Sequence, residues 1–200
     1  MTIPIVIAAG GNGSRIGGDK AGQLLGGVTL LQRAASFALG QSAAVAIAAR
    51  AATVINVEPA LPLLLDTEAG GGPLSALASA LDFAASLKAQ SVLMIPCDMP
   101  FLPTDLLARL AGVCDGARVV MARSGARFHP ICALWPVSAR TLLSRYAATS
   151  NGSLIGLAKQ IGFTEVTWQG APFDPFFNVN DSDDLALAER QLAQSLSASG

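Results

Sequence analysis

Short apolar runs separated by helical patterns fill residues 1–112 and restrict the folds open to this chain. TIPIVIAA precedes TLLQRAASFAL; AVAIAA and LPLLL precede PLSALASALDFAASL; SVLMIPC precedes PTDLLARLAG. Alternation of this kind builds βαβ units, because parallel neighbouring strands need a crossover and the crossover is usually a helix. The strand candidates are apolar at nearly every position, as strands covered on both faces must be. From Pro73 to Leu87, the residues Leu74, Leu77, Ala78, Leu81 and Ala85 recur at three- and four-residue spacing and predict a helix whose stripe lies against the sheet. The expected fold is α/β: a three-layer, mostly parallel Rossmann-like sheet with helices on both faces.

The second half is less regular. ARVVMA and RFHPICALW read as two strands joined by a turn at Ser124-Gly125, followed by helical PVSARTLLSRYAAT and SLIGLAKQIG. A small antiparallel extension of the sheet is expected there. A last helix begins near Asp181, a good N-cap, with Asp183 and Asp184 in the first turn where the helix dipole favours acids. It is expected to end in the SLSASG tail. No internal repeat or long linker interrupts the chain, and 200 residues suit a single domain, 1–200.

Charge and cysteine usage exclude several functions. A net charge of −1 and a pI near 5.7 leave no basic footprint for nucleic acid. The longest charge-free stretch, ASFALGQSAAVAIAA, is broken by Gly40, Gln41 and Ser42, so no membrane span is predicted. No basic region precedes the first apolar run, which argues against a signal peptide and for a cytoplasmic protein. Cys97, Cys114 and Cys132 are odd in number and lack C-x-x-C spacing, so small buried residues are expected rather than a disulfide framework or a zinc site.

The chemistry begins at IVIAAGGNGSRIGGDK, residues 5–20, where an apolar run is followed by five glycines in nine residues. A dinucleotide fingerprint, G-x-G-x-x-G, fails: counted from Gly11 the sixth position is Ile16, and from Gly10 the third is Asn12. A P-loop fails as well, because after Gly13 and Gly18 the lysine position holds Asp19 and the hydroxyl position Ala21. What survives is an anion nest, in which glycines let backbone N–H groups turn toward a ligand while Arg15 and Lys20 supply full charges. A triphosphate suits such a nest.

IAAGGNGSRIGGDK resembles the nucleotide-binding signature of the MobA-like nucleotidyltransferases, L-A-G-G-x-G-x-R-M-G-G-x-D-K. Four further blocks follow in the family's order: LLLDTEAGGGPLSAL, VLMIPCDMPFLP, RFHPICALW and FFNVNDSDDLA. Together they span residues 5 to about 188. Within the family, Gly17-Gly18-Asp19-Lys20 is most similar to the guanylyltransferases of the molybdenum cofactor. The resemblance implies transfer of GMP from GTP to a molybdopterin phosphate, with Mg2+ as cofactor and GTP and the molybdopterin cofactor as substrates; the alternatives are a related transferase moving CMP to molybdopterin or a nucleotide to a sugar phosphate, and a nucleotide-binding regulatory module without turnover. Molybdoenzymes or their chaperones are candidate protein partners. It also implies that 1–112 mainly binds nucleotide and 113–190 mainly binds the acceptor.

Site roles follow from the resemblance and from chemistry together. Asp98 follows the strand SVLMIPC, at the end where open α/β sheets bind ligands, and is expected to be catalytic and to hold the metal through hard oxygen ligation. Arg15 and Lys20 complete the catalytic set as neutralising cations. Ala8, Ala9, Gly10, Gly11, Lys20, Asp66, Gly72 and Asp98 are expected at the nucleotide, with Gly72 near the guanine edge. Arg15, Gly18, Asp19, Asn178 and Asn180 are expected at the acceptor; Asn178 and Asn180 alternate across Val179 and so point to one side of an extended segment. A phosphate nucleophile is already ionised at neutral pH and needs no dedicated base, which suits a chain whose only histidine, His129, reads as structural. Trp135, Trp168 and Phe176-Phe177 read as core.

The family pattern is broken in places. One residue is missing between Gly18 and Asp19, Ala8 and Thr29 replace a common leucine and proline, and Ala48-Ala49-Arg50 stand where an asparagine often occurs. The segment TSNGSLIGLAKQIG carries Lys159 as its only cation in place of a frequent arginine.

Overall fold

The structure, a computed structural model, describes residues 2–9, 20–50, 55–65, 72–149, 152–170 and 173–198. In chain order the strands and helices are β1 (Ile5–Ala8), β2 (Leu24–Leu25), β3 (Val28–Thr29), α1 (Leu30–Leu39), β4 (Val45–Ala49), β5 (Leu63–Leu65), α2 (Pro73–Ser86), β6 (Ser91–Pro96) and α3 (Leu106–Ala111). There follow β7 (Val119–Ser124), β8 (Arg127–Pro136), α4 (Ala139–Thr149), α5 (Leu154–Ile161), β9 (Phe163–Trp168) and α6 (Ser182–Ala198). Seven strands form one sheet in the order β5-β4-β1-β6-β8-β7-β9. β8 alone runs against its neighbours β6 and β7; the other pairings are parallel. The mostly parallel sheet and its antiparallel extension are as the sequence predicts.

Strand periodicity divides the core into two layers. Ile5, Ile7, Val45, Ile47, Leu93, Ile95, Cys132 and Leu134 point to one face, where Leu31, Ala34 and Ala35 of α1 and Leu106 and Leu110 of α3 cover them. Val6, Ala46, Val92, Met94, Ala133 and Trp135 point to the other, beneath Leu77 and Leu81 of α2, Leu143 of α4 and Leu157 of α5. Trp135, Trp168 and Phe176 are core residues, as read from sequence, and so are Cys97 and Cys132, while Cys114 is half-buried.

Three details differ from expectation. The stripe of α2 is rotated: Ala80 and Ala84 are buried with Leu77 and Leu81, whereas Ala85 is exposed, because small alanines let the helix settle on an adjoining face. Leu63 and Leu65 of β5 are exposed, since this strand is a sheet edge covered on one side. FTEVTW, left unassigned by the sequence reading, is β9, parallel to β7 from Val119↔Phe163 to Ser124↔Trp168.

A third, smaller cluster joins the hairpin β2–β3 to α6: Leu25, Leu30, Val179 and Ala188 are fully buried together, with Phe101, Phe177, Leu185 and Leu192 around them. The hairpin turns on Gly26 (φ +57°) and Gly27 (φ +75°), two left-handed positions in succession that favour glycine. Thr29 then caps α1, its hydroxyl oxygen accepting the Gln32 N–H at 3.0 Å. Asp181 caps α6 as expected, accepting from the N–H groups of Asp183 and Asp184. That helix continues through Ala198.

Candidate active site

The parallel strands β1, β4 and β6 end on one edge of the sheet, and β8 starts there because it runs the other way. Asp98 stands just beyond β6. Lys20 reaches it across the end of β1, placing Nζ 3.3 Å from Asp98 Oδ2 and 2.9 Å from Asn180 Oδ1. The Asn178–Asn180 segment is tied to the same point, for the Val179 N–H donates to the Asp98 carbonyl oxygen at 2.9 Å. Asn180 Nδ2 donates to the Asn178 carbonyl at 3.3 Å, and the Asn180 N–H donates to Asp184 Oδ2 at 2.8 Å. One ammonium therefore links three parts of the chain that sequence reading named separately.

Burial raises Asp98 above the usual carboxylate range, and the charge and hydrogen bond of Lys20 oppose that rise. Oδ2 faces Lys20, while Oδ1 is buried and has no hydrogen-bond partner among the described residues. Asn178 Oδ1 is in the same condition. Two orphaned oxygens in one site are what a hard cation takes up, because an unpaired buried acceptor costs about 1–3 kcal/mol. Among the described residues no cluster of three or more His, Cys, Asp or Glu side chains could hold a metal alone. A small hard ion bound by one carboxylate and completed by phosphate oxygens and water fits this set.

Beside this group lies a cavity of about 480 Å³. Ala8, Pro96, Cys97 and Asp98 line it from the sheet edge, Gly72, Pro73 and Ala76 from the start of α2, and Lys20 and Asn178 from the loops. Gly72 is the N-cap residue of α2 at φ +122°, a backbone shape that disfavours side chains, and Pro73 occupies the first turn. Gly72 brings no side-chain cap of its own, and the partly positive N-terminus of α2 lies against the cavity, an arrangement favourable to anions. The remaining wall is Pro130 and Ile131 of β8 with Gly152, Ser153, Leu154 and Ile155 at the start of α5.

Sequence reasoning missed that wall. Ser153 caps α5 by accepting the Gly156 N–H at 3.1 Å, a helix-start signal that does not itself mark a cavity wall. Of the expected residues, Ala8, Lys20, Gly72, Asp98 and Asn178 line the cavity, and Asn180 adjoins it through Lys20. Ala9 is a buried core residue whose N–H is committed to the Ala48 carbonyl at 2.8 Å. Gly10, Gly11, Arg15, Gly18, Asp19 and Asp66 lie outside the described residues.

His129 has a structural role, as its sequence setting predicts. It is 3% exposed and stacks on Phe176, with ring centroids 4.5 Å apart. Ser124 Oγ donates to Asp174 Oδ2 at 2.9 Å, so His129 Nε2–H donates to Ser124 Oγ at 2.8 Å. Burial holds this imidazole below its usual range, Asp174 opposing and Arg127 adding to the effect.

A strand-edge aspartate, a lysine from the loop after β1 and an extended Asn-Val-Asn segment meet on a mostly parallel sheet, and residues 5–161 match the MobA-like NTP transferase domain. The chain belongs to this family. It is 38% identical over 187 residues to a molybdenum cofactor guanylyltransferase of Acidiphilium cryptum, covering 92% of each chain. Its fold is similar to molybdopterin-guanine dinucleotide biosynthesis protein A of Archaeoglobus fulgidus, with TM-score 0.74 at 21% identity, covering 96% of this chain and 100% of that one. A Mycobacterium tuberculosis protein solved in complex with manganese shares the fold with TM-score 0.66 at 16% identity, covering 95% and 99% of the two chains. Membership makes the chain a nucleotidyltransferase, and a divalent metal suits the family and the orphaned oxygens alike. Among the described residues no helix is long and apolar enough to cross a membrane.

Proposed function

We infer that this chain transfers GMP from GTP to the phosphate of the molybdopterin cofactor. A phosphate oxygen of the acceptor attacks the α-phosphorus of GTP, the bond from that phosphorus to the bridging oxygen of the β-phosphate breaks, and pyrophosphate leaves with the bond's electrons. The guanine dinucleotide form of the cofactor results. The observation that carries this reading is the Lys20 ammonium held between Asp98 and Asn180 at the mouth of the cavity.

The nucleophile carries no proton that must be removed, so catalysis rests on alignment and charge neutralisation. Lys20, with Arg15, offsets negative charge on the phosphates. Ala8, Gly10, Gly11, Asp66 and Gly72 bind the nucleotide, Gly72 offering backbone groups to guanine. Gly18, Asp19, Asn178 and Asn180 contact the acceptor. Asp98 would hold Mg2+, with Asn178 Oδ1 a further oxygen available to it, and the ion would offset charge on the triphosphate. On this reading 1–112 mainly serves the nucleotide and 113–190 mainly the acceptor. A cytoplasmic setting suits GTP supply, and molybdoenzymes or their chaperones are the partners to which product would pass.

The test is product analysis with the purified protein, GTP against CTP and molybdopterin against sugar 1-phosphates, with Mg2+ present. Formation of the guanine dinucleotide is expected. Preferential CMP transfer, or transfer to a sugar phosphate, would overturn the assignment.

A further inference from the structure

Lys20 is connected to α6 on two sides, through the β2–β3 hairpin and through Asn180. Its carbonyl accepts the Gln23 N–H at 3.3 Å, Gln23 accepts from Leu30 N–H at 2.8 Å, and Ala21 accepts from Leu31 N–H at 3.1 Å, so Lys20 sits at the root of the β2–β3 hairpin. The tip of that hairpin is gripped from the far end of the chain. Glu189 Oε1 accepts the Gly26 N–H at 2.7 Å. Leu192 closes over the same residue so tightly that a Cβ on Gly26 would stand 2.5 Å from Leu192 Cδ2. The same helix holds the opposite jaw, since Asp184 Oδ2 accepts the N–H of Asn180, the residue that receives Lys20.

We propose that α6 is a clamp that sets the position of Lys20, and that Glu189 is its positioning residue. Glu189 is exposed, so global stability has little need of its carboxylate. Its bond to Gly26 fixes the height of the hairpin over α6, and the hairpin root then delivers Nζ to the point between Asp98 and Asn180. Loss of the grip lets the root shift and leaves the ammonium misplaced for the phosphates, an error to which transfer chemistry is sensitive.

The proposal rests on the GMP-transfer reading for its kinetic consequence but not for its geometry, and the experiment keeps the two apart. The chain has three lysines, Lys20, Lys88 and Lys159, so acetic anhydride labelling followed by mass spectrometry gives the reactivity of Lys20 against two exposed internal references. In wild-type protein Lys20 should label slowly, its side chain being 17% exposed and ion-paired. Glu189→Ala should raise its labelling relative to Lys88 and Lys159 roughly threefold or more and lower kcat about tenfold with little change in KM for GTP. Glu189→Gln, whose amide oxygen still accepts from Gly26, should restore both; Glu189→Asp, too short to reach, is read like Glu189→Ala and replaces it if that variant does not fold. An unchanged labelling ratio in the alanine or aspartate variant, or a glutamine variant as impaired as the alanine one, overturns the clamp. Absence of GMP transfer in the wild type overturns the function instead, and the labelling ratio still decides the clamp.

Discussion

Replacing Lys20 by methionine should expose how far Asp98 is held ionised against its surroundings. The two charges lie 3.3 Å apart, with side chains 17% and 16% exposed. Their attraction is about 1 kcal/mol at the dielectric of water and about 5 kcal/mol at an effective dielectric of roughly 20. For groups this buried the larger figure is the better guide, discounted to about 3 kcal/mol because some solvent remains. Burial already raises Asp98, and Lys20 supplies the opposing influences. Without Lys20 the carboxyl rises further, because the main influence opposing its burial is gone. The sign follows: a folded-state value above the unfolded one means the native state binds more protons, so stability falls as pH rises through the folded value. Urea denaturation should therefore show Lys20→Met costing about 3 kcal/mol at pH 8 and less at pH 5. Asp98→Asn should relieve most of that cost in the double variant, and alone should leave stability at pH 8 equal or higher while abolishing GMP transfer. An equal cost at the two pH values, or no relief in the double variant, would refute the reasoning.

Two further outcomes follow from the same structure. His129 is held below its usual range by burial, so the unfolded chain binds the extra proton first and stability falls as pH drops below about 6.5, by at most about 1.4 kcal/mol per pH unit; His129→Gln should flatten that limb in thermal melts from pH 7.5 to 5, and an unchanged slope would contradict a buried neutral imidazole. Gly72→Val should cost about 1–3 kcal/mol by strain at φ +122°, since among the described residues nothing lies within 4 Å of an added Cβ. Differential scanning calorimetry and the KM for GTP measure it, and a KM that does not rise would remove Gly72 from the nucleotide site.

The sheet was legible because strands covered on both faces must be apolar throughout, and Ile5–Ala8, Val45–Ala49 and Ser91–Pro96 are buried along nearly their whole length. β9 escaped notice because its apolar residues divide between faces: Phe163 packs with one core layer and Val166 and Trp168 with the other, leaving no periodic stripe. The β2–β3 hairpin was signalled by Gly26-Gly27 between apolar pairs, but each strand has only two residues. In the site, Asp98 and Gly72 could be found because they follow or open a regular element, and Lys20 and Asn178 because they stand in a glycine-rich loop and an Asn-Val-Asn segment that resemble family motifs. The Pro130–Ile131 and Ser153–Ile155 wall could not, for ordinary residues become a wall only when antiparallel β8 brings its start to the ligand edge.

That reversal has a consequence for how the enzyme can be altered. β7 and β8 meet at a tight turn, Ser124 pairing with Arg127 around Gly125 at φ +54°, and Ala122 pairs with His129 beyond a bulge next to Met121. The turn therefore stands at the ligand edge where β7 and β8 meet, with β9 alongside β7, while Lys20, Gly72 and Asp98 belong to other segments. Residues grafted at Gly125-Ala126 would change the height of one rim without rethreading a crossover. On the proposed reading, in which the second half serves the acceptor, the turn is the natural place to diversify acceptor scope while leaving Lys20, Gly72 and Asp98 intact.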